Sequence, residues 1–271
     1  MKQKFPELDT TLPIGVFDSG VGGLTVARAI RDQLPNEAII YLGDTARNPY
    51  GTKPIKEVRE YSLEMLDRLV AEGVKMLVIA CNTASTAVLR DAYERYDVPV
   101  VEVIRPTVRS AIALTRNGNI GLIGTQATVK SRVYDDFCAV HGGVDLISQA
   151  APRFVELVEA GTTAGPEVED VAKRYLEPLI AADIDTLILG CTHYPFLQGA
   201  IRHTVGPNVA LVTSDTETAN EVYRVLRKLD LLNPQDHPPQ IRFEATGRDT
   251  GSFKALAQTM LGLQIDSVTR I

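Results

Sequence analysis

Long apolar runs and basic runs are both missing from this sequence. Continuous apolar segments stop at about six residues, far short of the roughly 20 that a membrane-spanning helix needs. The first twelve residues contain no apolar core of a signal peptide. The formal net charge is -6, and no stripe of lysine and arginine offers a surface for nucleic acid. We therefore expect a cytoplasmic protein that has neither a membrane nor nucleic acid as a partner.

Cysteine is also scarce, with 3 residues in a chain of 271. An odd number in a chain of this size makes no disulfide framework, so Cys81, Cys138 and Cys191 are predicted to be free thiols. Close Cys-x-x-Cys and His-x-x-x-His pairs are absent, and no lysine lies in a context typical of a Schiff base. The sequence therefore predicts no metal site and gives no sign of a covalently bound cofactor.

What the chain does contain is a regular alternation of short apolar segments with longer segments of helical periodicity. This alternation is typical of parallel strands covered by helices on both faces, so the predicted fold class is α/β. The predicted strands are residues 14–17, 39–42, 74–80, 98–103, 120–123, 144–147, 184–190, 209–212 and 240–245. Helical spacing runs through residues 129–140, 168–179, 217–229 and 252–261.

Three segments of the chain are repeated in the same order. Residues 13–19 resemble residues 119–125, residues 76–83 resemble residues 186–193, and a third pair of predicted strands follows. Three ordered matches indicate a duplicated unit. We expect two similar parallel-sheet α/β domains related by a pseudo-twofold axis, with the active site between them. The predicted domains are residues 1–103, completed by 215–271, and residues 104–214.

Cys81 and Cys191 occupy equivalent positions in the two repeats. Each follows a predicted strand; Cys81 precedes Asn82-Thr83-Ala84-Ser85, small polar residues that begin a helix, and Cys191 precedes Thr192-His193-Tyr194-Pro195. Ligands in open α/β sheets bind at the carboxyl ends of strands, and a helix N-terminus favours a thiolate. A lone buried cysteine is usually a small hydrophobic residue. The presence of a thiol in both repeats instead favours function, whereas Cys138 has no counterpart and is predicted to be structural.

The glycine-rich loop after the first strand, Asp18-Ser19-Gly20-Val21-Gly22-Gly23, is predicted to cradle an anion with its backbone amides. Thr25 stands where the dinucleotide fingerprint needs its third glycine, and no Gly-Lys-Ser/Thr follows, so a carboxylate is the expected anion. Asp18 would then orient a thiol or bind an ammonium group, which suggests an amino acid. A purely turn-stabilising role for Asp18 stays open.

Three further positions are candidates because of their neighbours. His193, two residues after Cys191, is predicted to hydrogen-bond a thiol or a substrate carboxylate, although loop histidines are often solvated or cap helices. Tyr50 and Gly51 follow the second strand in a segment that is also compatible with an ordinary turn. Glu159 lies on a short predicted helix, where a lone glutamate usually belongs to a solvated face.

Four blocks together resemble the signature motifs of bacterial glutamate racemase. The blocks are Phe17-Asp18-Ser19-Gly20-Val21-Gly22-Gly23-Leu24, Pro49-Tyr50-Gly51, Ala80-Cys81-Asn82-Thr83-Ala84-Ser85 and Gly190-Cys191-Thr192-His193-Tyr194-Pro195. The resemblance implies a pair of α/β domains and a cofactor-independent racemisation that supplies D-glutamate for peptidoglycan. We further expect a homodimer.

The resemblance also implies roles for residues. Cys81 would exchange the α-proton on the D-glutamate side and Cys191 on the L-glutamate side, assisted by Asp18 and His193. Substrate contacts would come from Asp18, Ser19, Tyr50, Gly51, Asn82, Thr83, Thr192 and His193, and Glu159 falls where the family keeps a glutamate near the site.

Three alternatives stay open. An aspartate racemase would use the same chemistry on a substrate one methylene shorter. A non-catalytic amino-acid-binding protein could be built from the same duplication, but it leaves the repeated cysteines unexplained. A cysteine hydrolase that uses Cys191 and His193 leaves Cys81 without a role.

Overall fold

The computed structural model describes residues 5, 7–235, 240–262 and 264–271. Residues 1–4, 6, 236–239 and 263 of the predicted domain ranges lie outside the described residues. None of the helices in the described part of the chain is long and apolar enough to cross a bilayer.

Two parallel sheets form the framework of the described chain. The strands are β1 (Ile14–Asp18), β2 (Ile39–Gly43), β3 (Met76–Ile79), β4 (Val100–Glu102), β5 (Asn119–Gly124), β6 (Asp145–Ala150), β7 (Thr186–Gly190), β8 (Ala210–Thr213), β9 (Ile241–Ala245) and β10 (Thr269–Arg270). The first sheet has the order β10-β9-β2-β1-β3-β4, and the second has the order β6-β5-β7-β8. Every residue of β1, β2, β3 and β7 is buried, which explains their unbroken apolar character.

The strand order reveals the duplication. The run β6-β5-β7-β8 repeats β2-β1-β3-β4, so β5 is the counterpart of β1 and β7 is the counterpart of β3. The predicted α/β class with two similar parallel sheets is therefore confirmed. The C-terminal segment returns to the first sheet, because β9 pairs with β2 and β10 pairs with β9. The boundaries drawn at residues 103/104 and 214/215 stay a prediction.

Helices cover the sheets. They are α1 (Leu24–Gln33), α2 (Ile55–Ala71), α3 (Asn82–Arg95), α4 (Ile104–Leu114), α5 (Gln126–Ser131), α6 (Val133–His141), α7 (Pro152–Glu159), α8 (Pro166–Ala181), α9 (Gln198–Val205), α10 (Ser214–Lys228) and α11 (Thr250–Leu261), with 3-10 turns at Tyr50–Thr52 and Tyr194–Leu197. Helix α10 packs against α1 and α4, which joins the two halves of the molecule on one side. Cys138 is buried within α6, as its predicted structural role requires.

The helical spacing predicted across residues 129–140 does not belong to one helix. Arg132 has φ 61 and separates α5 from α6. Its backbone N–H bonds to the Val129 carbonyl and ends α5. Asp135 and Asp136 lie in the first turn of α6, where carboxylates favour a new helix N-terminus. The apolar period continues across the break because each helix still buries one face against the second sheet.

Candidate active site

A cavity of about 80 Å³ lies where the carboxyl ends of the strands of both sheets meet. Ser19 follows β1, Cys81 follows β3, Thr125 follows β5 and Cys191 follows β7. The lining consists of Ser19, Asn48, Pro49, Tyr50, Gly51, Thr52, Cys81, Asn82, Thr83, Thr125, Pro152, Val155, Glu156, Glu159, Cys191, Thr192 and His193. The duplicated topology thus brings both repeated cysteines to one cavity.

Cys81 caps the N-terminus of α3. Its Sγ accepts a hydrogen bond from the Ala84 backbone N–H at 3.4 Å and lies 3.5 Å from Ser19 Oγ. Burial, followed by the nearby negative charge of Asp18, raises the pKa of the thiol to about 12, although the Ser19 and Ala84 contacts oppose this shift. In this environment Cys81 holds its proton at neutral pH.

Cys191 lies beside a histidine. Its Sγ is 3.7 Å from His193 Nδ1, and both residues are almost completely buried. Burial acts to lower the pKa of His193, but contacts with Cys191 and Glu159 outweigh it and raise the pKa to about 10. A cationic imidazolium therefore lies next to the Cys191 sulfur at neutral pH.

Glu159, the last residue of α7, supports this histidine. Its Oε1 lies 3.5 Å from His193 Nε2 and accepts a hydrogen bond of 2.7 Å from Asn48 Nδ2. The contact with His193 is the main cause that holds the pKa of Glu159 below its usual value. The side chain is partly solvated, as expected for a helix face, but its Oε1 is directed at the cavity residues Asn48 and His193.

The glycine-rich loop binds a carboxylate, but that carboxylate belongs to Asp18 itself. The Gly20 backbone N–H donates to Asp18 Oδ2 at 2.9 Å, and the side chain is fully buried. Burial raises the pKa of Asp18 against the opposing influence of His193 and the loop amides. Among the described residues Asp18 does not line the cavity, and the Ser19, Gly20 and Gly23 amides of the loop act on its carboxylate.

The remaining predicted contacts come from both halves. Tyr50 is held by a hydrogen bond of 2.5 Å from its hydroxyl to Asp44 Oδ2, and Gly51 lies so close to Thr125 that an added Cβ would sit 2.7 Å from the Thr125 side chain. The Thr83 and Thr125 hydroxyls are 2.9 Å apart. The contacts of Gly51 and Thr83 with Thr125 join the first half to the second around the cavity.

Asn82 is oriented by the second half. The Tyr134 hydroxyl, on α6, donates to Asn82 Oδ1 at 2.6 Å. Asn82 Nδ2 is buried and has no hydrogen-bond partner among the described residues. A buried donor without a partner is costly, so this amide is available to an acceptor in the cavity.

Several lining residues were not predicted from the sequence. Thr125 could have been found, because it is the counterpart of Ser19 in the repeat. Asn48 had no such signal, since its partner Glu159 lies 111 residues further along the chain. Pro152, Val155 and Glu156 line the cavity from α7, where only Glu159 was predicted.

The chemistry available to this site is proton exchange. Two buried thiols line one small cavity, one kept protonated and one beside a cationic histidine. Such a pair can remove a proton from a carbon acid with one sulfur and return a proton with the other.

This chain belongs to the family described as Asp/Glu/Hydantoin racemase, which matches residues 15–222. Within that family its relatives include the glutamate racemase of Leifsonia xyli subsp. xyli, 60% identical over 259 residues, which are 96% of this chain and 95% of the relative. The crystal structure of glutamate racemase isoform RacE1 from Bacillus anthracis is 40% identical, with a TM-score of 0.91 and coverage of 97% of this chain and 98% of that one. Glutamate racemase from Francisella tularensis in complex with D-glutamate is 33% identical, with a TM-score of 0.90 and the same coverage.

Proposed function

We propose that this protein interconverts L- and D-glutamate by proton exchange at the α-carbon between Cys81 and Cys191, without a cofactor. The observation that carries the proposal is that two cysteines, on equivalent strands of a duplicated fold, line one cavity of about 80 Å³. The names and bound ligand of the family relatives support glutamate as the substrate. The proposal takes residues 1–103 with 215–271 as one half and 104–214 as the other.

The ionisation of the resting site sets the direction of the first step. Cys81, with its pKa raised to about 12, is the acid, and Cys191, beside cationic His193, is the base. Cys191 thiolate takes the α-proton of L-glutamate, and the electron pair of the broken C–H bond passes into the α-carboxylate. The Cys81 thiol then delivers its proton to the opposite face, which gives D-glutamate and leaves Cys81 as the thiolate. D-Glutamate reacts by the reverse sequence.

The negative charge that develops on the substrate needs donors fixed in advance. Asn82 Nδ2 is a buried donor with no partner in the described chain, and the hydroxyls of Ser19 and Thr192 belong to the same lining. Donors that are already oriented stabilise developing charge without reorganisation. In this proposal Thr83, Tyr50 and Gly51 complete the substrate contacts, His193 assists Cys191, and Glu159 supports His193.

In this scheme Asp18 does not contact the substrate and acts on Cys81 from outside the cavity lining. Its buried carboxyl group adds negative charge near Cys81, which helps to keep that thiol protonated. Asp18 thus assists catalysis electrostatically and orients the loop that carries Ser19.

Proton NMR in deuterated water tests the reaction and the substrate together. With purified protein and no added cofactor, we expect the α-proton signal of L-glutamate to disappear while deuterated D-glutamate accumulates. During initial turnover the deuterium should enter the product and not the remaining substrate, because each face has its own base. Equal early labelling of both isomers would point to a single base and overturn the two-thiol scheme.

The same measurement separates the alternatives. Faster exchange of L-aspartate than of L-glutamate would assign an aspartate racemase. Binding of glutamate without any exchange would assign a non-catalytic binding protein.

The wider role belongs to the same proposal. We place the protein in the cytoplasm, as a homodimer, where its D-glutamate would serve peptidoglycan synthesis. Sedimentation of the purified protein tests the dimer, and depletion of the protein in its host, with and without external D-glutamate, tests the cell-wall role.

A further inference from the structure

Asn48 makes a contact that crosses the site from one half to the other. It lies in the loop between β2 and the 3-10 turn Tyr50–Thr52, and its Nδ2 donates to Glu159 Oε1 at 2.7 Å. That same oxygen is the atom that lies 3.5 Å from His193 Nε2. A single carboxylate oxygen therefore connects a loop of the first half to the histidine beside Cys191.

Glu159 would not remain there unaided. It is the last residue of α7, where the helix dipole disfavours a negative charge, and its side chain is 34% exposed. Water is available to it, so the carboxylate needs a second donor to stay over the cavity. His193 is the main influence on the charge of Glu159 but lies 3.5 Å away, whereas the bond from Asn48 is the shorter contact at 2.7 Å.

We propose that Asn48 is a positioning residue that holds the Glu159 carboxylate beside His193 and so keeps His193 charged for its work on Cys191. This inference rests on the proposed racemase function. Asn48 touches the carboxylate and acts through it. It supplies a second donor from the other half of the molecule, so the charge on His193 depends on residues of both halves.

The groups that act on His193 in the described chain lie on three different elements. Glu159 faces the ring from α7, Cys191 from the end of β7, and Asp18 from the end of β1. Loss of the Asn48 contact frees Glu159 to turn toward water. His193 would then lose one of the partners that offset its burial, so its pKa should fall.

Titration of His193 by NMR tests the contact without any substrate. The protein has four histidines, and the signal of His193 is identified by its loss in His193→Gln. In Asn48→Ala we expect the pKa of His193 to fall by about one unit. Asn208→Ala, at an exposed asparagine outside the cavity lining, should leave it unchanged. An unchanged or raised pKa in Asn48→Ala would overturn the inference, even if the variant were less stable.

Racemisation kinetics supply the second test. We expect kcat/KM to fall about tenfold in Asn48→Ala, since a hydrogen bond to a charged group is lost, and its alkaline limb to move to lower pH with the His193 titration. If Asn48 acts through Glu159, adding Asn48→Ala to Glu159→Gln should cause no further loss. A further tenfold loss in the double variant would overturn the relay. If the unmodified protein exchanged no glutamate, the proposed function would fail, while the His193 titration would still decide this inference.

Discussion

The two halves of the site carry the same thiol in different surroundings. Cys81 has neutral donors and a buried aspartate nearby, whereas Cys191 has a cationic histidine backed by a glutamate. In the repeat, Asp18 corresponds to Gly124, and Thr83 corresponds to His193. Duplication thus explains why two cysteines line one cavity, and divergence of their neighbours explains why the two sulfurs lie in different electrostatic surroundings.

The largest effect is expected from removing either thiol. Cys81→Ala and Cys191→Ala should each reduce racemisation by at least about 1,000-fold, because the remaining sulfur can reach only one face of the α-carbon. Cys138→Ala is the control, since this third cysteine is buried in α6 and does not line the cavity. Turnover is measured by circular dichroism of glutamate. Near-native turnover in Cys81→Ala or Cys191→Ala would contradict the two-thiol mechanism.

The next largest effect is expected from removing His193, and its pH dependence tests the difference between the surroundings of the two cysteines. His193→Gln should reduce kcat/KM about 100-fold, because the cation beside Cys191 is lost. The raised pKa of His193, about 10, keeps the ring charged below that pH and neutral above it. The ratio of wild-type to variant kcat/KM, which cancels the titration of the substrate, should therefore decline as pH rises through about 10. A ratio that stays constant from pH 7 to 11 would contradict the assigned role.

An intermediate effect is expected at Gly22, where the first half lies against Thr192 and His193 of the second half. A Cβ added at Gly22 would lie 2.3 Å from Thr192 Oγ1 and 2.9 Å from His193 Nδ1. Gly22→Ala should therefore displace the Cys191 side and lower kcat/KM about tenfold, with about 1–3 kcal/mol of overpacking in the free energy of unfolding. Gly199→Ala, in α9 with open space around it, should lower neither kcat/KM nor the free energy of unfolding. Native kinetics in Gly22→Ala would show that this approach has no bearing on catalysis.

The smallest effect concerns the orientation of Asn82. Tyr134→Phe removes the hydroxyl that donates to Asn82 Oδ1. We expect KM for glutamate to rise about fivefold, since the amide is then free to rotate, with a loss of about 1–3 kcal/mol in unfolding free energy from the unpaired buried acceptor. Tyr96→Phe, which loses a hydroxyl contact with Asp67 away from the cavity, should leave KM unchanged. Equal KM values in the two variants would show that Tyr134 does not affect substrate binding through Asn82.

One constraint applies to every kinetic comparison between the halves. The two enantiomers have equal free energies in water, so kcat/KM must be the same in both directions at any pH. A variant that damages only the Cys191 side therefore lowers both values equally. Its asymmetry appears in kcat and KM taken separately, and those are the quantities to compare.

The sequence predicted what depends on local pattern and repetition. Buried parallel strands leave continuous apolar runs, and equivalent cysteines in two repeats predicted a shared site. Helix boundaries were harder to predict from the sequence. The apolar period continues across Arg132, whereas the helical backbone conformation is interrupted there. A functional role for Asp18 stays a prediction, and its own carboxylate accepts from the Gly20 amide of the loop that was expected to cradle a ligand.

Contacts between distant segments could not be predicted. Asn48 and Glu159 are separated by 111 residues, and their bond depends on how two loops from different sheets meet. Tyr134 and Asn82 pose the same difficulty, since neither sequence neighbourhood suggests the other. Thr125 is the exception, because it is the counterpart of Ser19 in the repeat and its place at the site could have been predicted from that equivalence.

The small cavity, with polar side chains from both halves around it, also bears on substrate length. Under the proposed function we expect discrimination to come from reach, because an acid too short to meet the buried Asn82 Nδ2 would leave that donor without a partner. One unpaired donor costs about 1–3 kcal/mol, equivalent to a preference of about 5- to 150-fold for the longer acid. In the proposed racemase the lining would therefore favour glutamate by its chain length.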